Sequence, residues 1–215
     1  MIYKLKNHQN KIVESIYKKS ITKLNIFFNL NWVNNTPDIY LIEDRKTIDS
    51  MMGKKTPGWV IGYINQNSIC ILNYKKLEQE SSHHYTNDYS TEKKYYLGMI
   101  PHELAHVFSK ALNPNIYMPV WLWEGIALYL GGQNILKKKP SKFNNFLNFY
   151  RTHGENRPNV YTESGFAIEF LVKKYGKEKL LKLIKSIKKD MPESDFAKLF
   201  KKIYGIPLEY KSFNI

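Results

Sequence analysis

Cysteine is almost absent from this chain of 215 residues, with Cys70 the single one. One cysteine closes no disulfide within the chain and builds no thiolate cluster. A disulfide scaffold is therefore excluded, and any metal site has to come from histidines and carboxylates. Long apolar runs are missing too. The most apolar stretch, Val120 to Leu130, is interrupted by Glu124 and falls far short of the ~20 apolar residues that cross a bilayer. No apolar segment of the secretory type follows Met1, so the expectation is a soluble, cytoplasmic protein without a membrane span. There is no internal repeat, and the composition is neither collagen-like nor that of a simple coiled coil.

Acidic residues are the minority, 19 against 33 Lys and Arg, for a formal charge of +14. The excess is almost all lysine, which favours anionic partners or acidic substrates but says nothing about fold or reaction. With 43% hydrophobic and 24% charged residues, the chain can build a core and lacks the signature of disorder. Its length fits one domain, residues 1–215. Lys137-Lys138-Lys139-Pro140 is the one candidate boundary between sub-lobes 1–136 and 141–215.

Apolar residues at three- and four-residue spacing predict an amphipathic helix from His8 to Phe28. Asp38 to Glu43 reads as a short buried strand, and Thr47 to Met52 as a short helix. Gly58 to Ile64 and Ser68 to Asn73, rich in β-branched and aromatic residues around the turn-forming Asn65-Gln66-Asn67, predict a hairpin. Ser81 to Ser90 is polar and aperiodic, an exposed loop. Helices are expected afterwards over 92–112, 120–130, 141–150, 163–175, 177–189 and 194–204. Strands first and helices later define an α+β class rather than an alternating α/β sheet.

His102-Glu103-Leu104-Ala105-His106 is an HExxH pattern. On a helix its histidines stand at i and i+4 on one face, suited to two ligands of one zinc ion. Glu103 sits about 100° round the helix from His102, placed to take a proton from a zinc-bound water. A catalytic zinc wants three protein ligands and an open position. Glu124 is the third by geometry. The chain can run ~9 Å past His106 to Leu112, turn at Asn113-Pro114-Asn115, and bring Glu124 ~7.5 Å back along an antiparallel helix that starts at Pro119. Glu155 or Glu163 would need a longer, looser return, and the small Gly125 and Ala127 allow a close approach.

The HELAH run, followed by Pro119-Val120-Trp121-Leu122-Trp123-Glu124-Gly125-Ile126-Ala127-Leu128-Tyr129, resembles the catalytic core of gluzincin metallopeptidases. It is most similar to the peptidase-MA-like domains related to aminopeptidase N and thermolysin. The resemblance extends to Tyr161-Thr162-Glu163-Ser164-Gly165-Phe166, to Lys174-Tyr175-Gly176 and to the segment Lys198 to Leu208. It implies a zincin-like fold and one Zn2+ held by His102, His106 and Glu124. It also implies Glu103 as general base and acid, and a hairpin edge strand that aligns a peptide by strand addition. Tyr161 would be the residue that hydrogen-bonds the tetrahedral oxyanion.

The chain departs from the aminopeptidases in lacking a Gly-x-Met-x-Asn motif between Gly58 and His102, so an endopeptidase acting on peptide or protein substrates is favoured. Seventeen residues separate His106 from Glu124, one fewer than in that branch. Pro101, directly before His102, implies that the helix starts there or kinks over Gly98 to Pro101.

His153 is the rival to Tyr161 as oxyanion partner, while His83 and His84 read as exposed loop residues. The alternatives at the level of function are a zinc-binding regulatory module and a basic nucleic-acid-binding protein with an incidental HExxH. A nucleic-acid partner is not expected. The lysines from Lys173 to Lys202 interleave with Leu180, Leu181, Leu183, Ile184 and Ile187 as the solvated face of amphipathic helices.

Overall fold

The computed structural model describes residues 2–4, 11–81, 89–151 and 160–214. In chain order the elements are β1 (Ile2–Lys4), α1 (Lys11–Phe28), β2 (Asp38–Ile42), α2 (Arg45–Met52), β3 (Gly62–Asn65), β4 (Ser68–Leu72), α3 (Leu77–Glu80), α4 (Tyr89–Leu112), α5 (Val120–Leu130), α6 (Val160–Tyr175), α7 (Lys177–Ser186) and α8 (Glu193–Tyr204). The class is α+β, with a small sheet near the N-terminus and helices after it. The strand order is β1-β2-β4-β3. β2 and β4 run parallel, while β1 on β2 and β3 on β4 are antiparallel. β3 is therefore an edge strand.

The central strand β4 is buried from Ile69 to Leu72, as a strand covered on both faces must be. Helix α4 packs on β3 and β4 on one side and meets α1 and α5 on others. Phe108 of α4 contacts Phe28 at 5.9 Å and Trp32 at 5.1 Å between ring centroids. One continuous cluster of buried apolar residues runs from Val13 to Phe213.

Several sequence expectations need correction. Ile2–Lys4 is a strand that the sequence pattern did not announce. Three residues are too few for a periodic signal, and pairing with Leu41 and its neighbours on β2 decides their conformation. The hairpin is shorter than expected. Gly58 to Val60 are not strand, because the Arg45 guanidinium takes the carbonyls of Pro57, Gly58 and Val60 at 3.0, 2.8 and 2.6 Å. Helix 141–150 does not form, and only a 3₁₀ turn, Phe146–Asn148, interrupts irregular chain there. Phe143, Phe146 and Phe149 do point inward, which produced the helical pattern. The backbone donors go elsewhere, however: Glu163 Oε2 accepts from the N–H groups of Asn144, Asn145 and Phe146 at 3.1, 2.8 and 3.0 Å.

Helix α7 stops at Ser186, not Lys189, and the Asn113 side chain donates to the carbonyls of Ile184 and Ile187 at 2.6 and 2.8 Å. Pro101 lies inside α4, so the helix does not begin there. The return from α4 to α5 is built as anticipated. Asn113 anchors the turn, and the Pro119 carbonyl accepts from Leu122 and Trp123 at the start of α5. The first two orphan donors of α5, on Val120 and Trp121, are satisfied by the carbonyls of Tyr150 and Phe149, both at 2.9 Å. Helix α5 lies tightly against α6. A Cβ on Gly125 would meet the Ser164 carbonyl oxygen at 2.6 Å, so only glycine permits this crossing.

Glu163, 2% exposed, thus organises the segment that supports α5. Glu163→Ala should cost about 3 kcal/mol in urea unfolding, and Glu163→Gln, which keeps one acceptor oxygen, should cost less. A loss below about 0.5 kcal/mol in both variants would contradict this role.

Candidate metal centre

His102, Glu103 and His106 come from the middle of α4, and Glu124 from the second turn of the antiparallel α5. All four side chains are buried, Glu103 at 5% and Glu124 at 7% exposure. Glu124 Oε2 stands 3.6 Å from His102 Nε2 and 3.7 Å from His106 Nε2. Those separations are long for hydrogen bonds. They lie close to the ~3.3 Å between ligand atoms that tetrahedral bonds of ~2.05 Å require. The potential ligand atoms of His102, His106 and Glu124 all fall within 4.8 Å of one another. A buried cluster of two imidazoles and one carboxylate at these separations could hold a metal ion.

Each histidine is held on its outer side differently. His102 Nδ1 lies 2.9 Å from Gln133 Oε1. The His106 ring stacks on Trp123 with centroids 4.1 Å apart and 19° between planes. Lys110 sits over both Trp123 and the exposed Tyr117. Trp121, by contrast, is wholly buried against Phe146 and Phe196.

Glu103 faces the sheet edge. A Cβ built on Gly62 of β3 would come within 3.2 Å of Glu103 Oε1. Glycine at this position lets the edge strand run past the carboxylate.

The protonation states of Glu124 and His106 favour ligation. Burial alone would raise the Glu124 carboxyl, but the facing imidazoles, His106 first, hold it well below the usual carboxylate range. Burial drives His106 down to about 4, keeping it neutral near pH 7. Burial also pulls on His102, and there the facing Glu124 carboxylate, together with Glu103 and the Gln133 carbonyl, outweighs it and raises the imidazole. Glu103 is pushed up to about 7, chiefly by burial, with His102 opposing and Glu124 adding to the rise. A carboxyl poised there can both accept and release a proton at neutral pH.

The structure thus brings together His102, Glu103, His106 and Glu124 as the sequence predicted. Tyr161 stands in the first turn of α6, half-buried, with its ring edge-on to Phe149 at 5.4 Å. His83, His84, His153 and Glu155 lie outside the described residues. Glu163, considered as a distant third ligand, serves the backbone of 144–146 instead. Sequence reasoning missed Gln133 and Trp123 as partners of the histidines. It read Lys137 only as a boundary residue, yet this half-buried ammonium is lowered by burial and feels the Glu124 carboxylate. No helix among the described residues is long and apolar enough to cross a membrane. Comparison with protein-family models, curated proteins and solved structures gives no match for this chain.

The raised Glu103 has a measurable cost in the metal-free protein. Between pH 4.5 and 7 the unfolded chain releases this proton before the folded one does, so stability falls as pH rises through that window. The loss amounts to about 3 kcal/mol when complete. In chelator, Glu103→Gln should therefore gain stability over wild type progressively from pH 4.5 to pH 8. A difference that stays constant across this range in urea unfolding would contradict the assignment.

Proposed function

We propose that this chain is a zinc-dependent peptidase of the gluzincin type, with a zincin-like arrangement of sheet, active-site helix and helical C-terminal lobe. It would act as an endopeptidase on peptide or protein substrates. The observation that carries the proposal is the buried donor set His102, His106 and Glu124 with a fourth ionisable group, Glu103, beside it and raised to about 7. A purely structural zinc site has no use for that neighbouring carboxyl and fills its fourth position with another side chain.

Zinc, when bound, supplies Lewis acidity and brings the pKa of water toward ~7. Glu103 accepts the proton of the attacking water at its carboxylate and later delivers it to the leaving amine. β3 ends the sheet and passes Glu103 at Gly62, so its outer edge is the proposed dock for an extended substrate by strand addition. Tyr161, at the start of α6, is the proposed donor to the oxyanion. The overall charge of +14 favours acidic substrates through long-range attraction.

Cleavage of a peptide library by wild type, Glu103→Gln and Gly62→Ala, with zinc content measured on the same preparations, tests this reading. Glu103→Gln should keep its zinc and lose about 10³-fold in kcat/KM. Gly62→Ala should also keep zinc and lose roughly 10²-fold, because a methyl group at that position displaces the general base. Zinc-loaded wild type that cleaves no peptide, or a Glu103→Gln variant as active as wild type, would overturn the proposal.

A further inference from the structure

Gln133 follows the two glycines that end α5 and opens a 3₁₀ turn, Gln133–Leu136. It is 1% exposed. Its side-chain amide is engaged at both ends: Nε2 lies 3.2 Å from Met99 Sδ and Oε1 lies 2.9 Å from His102 Nδ1. The two contacts together decide which way the amide points. A thioether sulfur accepts hydrogen bonds and has none to donate. The NH₂ end therefore belongs at Met99 and the carbonyl at His102. A carbonyl oxygen can only accept, so Nδ1 carries a proton, and the neutral ring keeps its lone pair on Nε2, the nitrogen that faces Glu124.

Met99 stands three residues before His102 on the same helix, so the sulfur that sets the amide and the ring that reads it share one rigid element. Space for the amide comes from Gly98. A Cβ there would lie 3.3 Å from Gln133 Cγ and 3.2 Å from the Gly131 carbonyl oxygen. His106 has no comparable polar support among the described residues: its Nδ1 has no hydrogen-bond partner there, and its ring is fixed by the Trp123 stack.

We propose that Gln133 is a positioning residue that locks His102 into the Nδ1–H tautomer, leaving Nε2 to ligate the metal, and that Met99 sets the orientation of its amide. This rests on the metal-site reading of His102, His106 and Glu124. Such an outer partner orients the ring and fixes its tautomer before the ion arrives, and its loss commonly weakens metal binding by about 10- to 100-fold. A glutamate at the same position would accept the same Nδ1 proton and preserve the effect.

Two measurements on the full chain test this. Long-range ¹H–¹⁵N NMR of the metal-free, histidine-labelled protein reads the tautomer, and competition with a chromogenic chelator reads Zn2+ affinity. Wild type should show His102 as the Nδ1–H tautomer. Gln133→Leu should show a mixture and bind Zn2+ about 10- to 100-fold more weakly, with Gln133→Glu restoring the affinity. Met99→Leu keeps the volume but removes the sulfur acceptor. It should shift the tautomer population in the same direction with a smaller loss, which keeps the test open should Gln133→Leu not fold.

His102→Ala serves as the reference. Zn2+ binding undiminished in His102→Ala would overturn the metal site itself. Zn2+ lost in His102→Ala but unchanged in Gln133→Leu and Met99→Leu, or a neutral wild-type His102 protonated on Nε2 instead of Nδ1, would overturn the role of Gln133 alone.

Discussion

A carboxylate taken out of water inside an apolar core is tolerated only where fixed partners replace its solvent, and Glu124 is under that constraint at the crossing of α4 and α5. Its neighbours along α5 are Trp121, Leu122, Ile126 and Ala127, all fully buried. Two imidazoles one helical turn apart on α4 are among its partners. Everything that fixes this crossing therefore fixes the site. Asn113 ties the interhelical turn to the end of α7, residues 149 and 150 take the first N–H groups of α5, and Gly125 lets α6 press α5 toward α4.

The same packing brings the sheet against the site. α4 lies across β3 and β4, and the absence of a side chain at Gly62 places the edge strand directly against Glu103. Burial from the strand side and the helix side together raises that carboxyl, so a group able to shuttle a proton near neutral pH results from ordinary core packing. Met99 touches both sides of this arrangement. Its methyl lies 3.3 Å from where a Gly62 Cβ would be, and its sulfur meets Gln133.

How much of this could be read from the sequence depends on whether the determining interaction is local. His102, Glu103 and His106 are one helical turn of a single element, and α5 follows after a short turn, so spacing and helix geometry were enough to select Glu124. The bounds of α5 were legible for the same reason. Where long-range partners decide, the pattern misled. Phe143, Phe146 and Phe149 carry helical spacing, yet Glu163 and Asn214 capture the backbone around them. Arg45 similarly removes Gly58 to Val60 from the hairpin, and β1 exists only through its pairing with β2. Gln133 carries no motif at all. Its position against His102 depends on how α5 ends and on the space beside Gly98.

The proposed ligation of one metal ion by His102, His106 and Glu124 at this crossing is open to direct spectroscopy. X-ray absorption at the zinc edge, on protein loaded with one equivalent of Zn2+ and compared with Glu124→Ala, tests it most directly. The account predicts a four-coordinate ion with two imidazoles and oxygen ligands at ~2.0–2.1 Å, and loss of that signature with weakened binding in Glu124→Ala. A six-coordinate oxygen shell in wild type, or a spectrum that Glu124→Ala leaves unchanged, would contradict it.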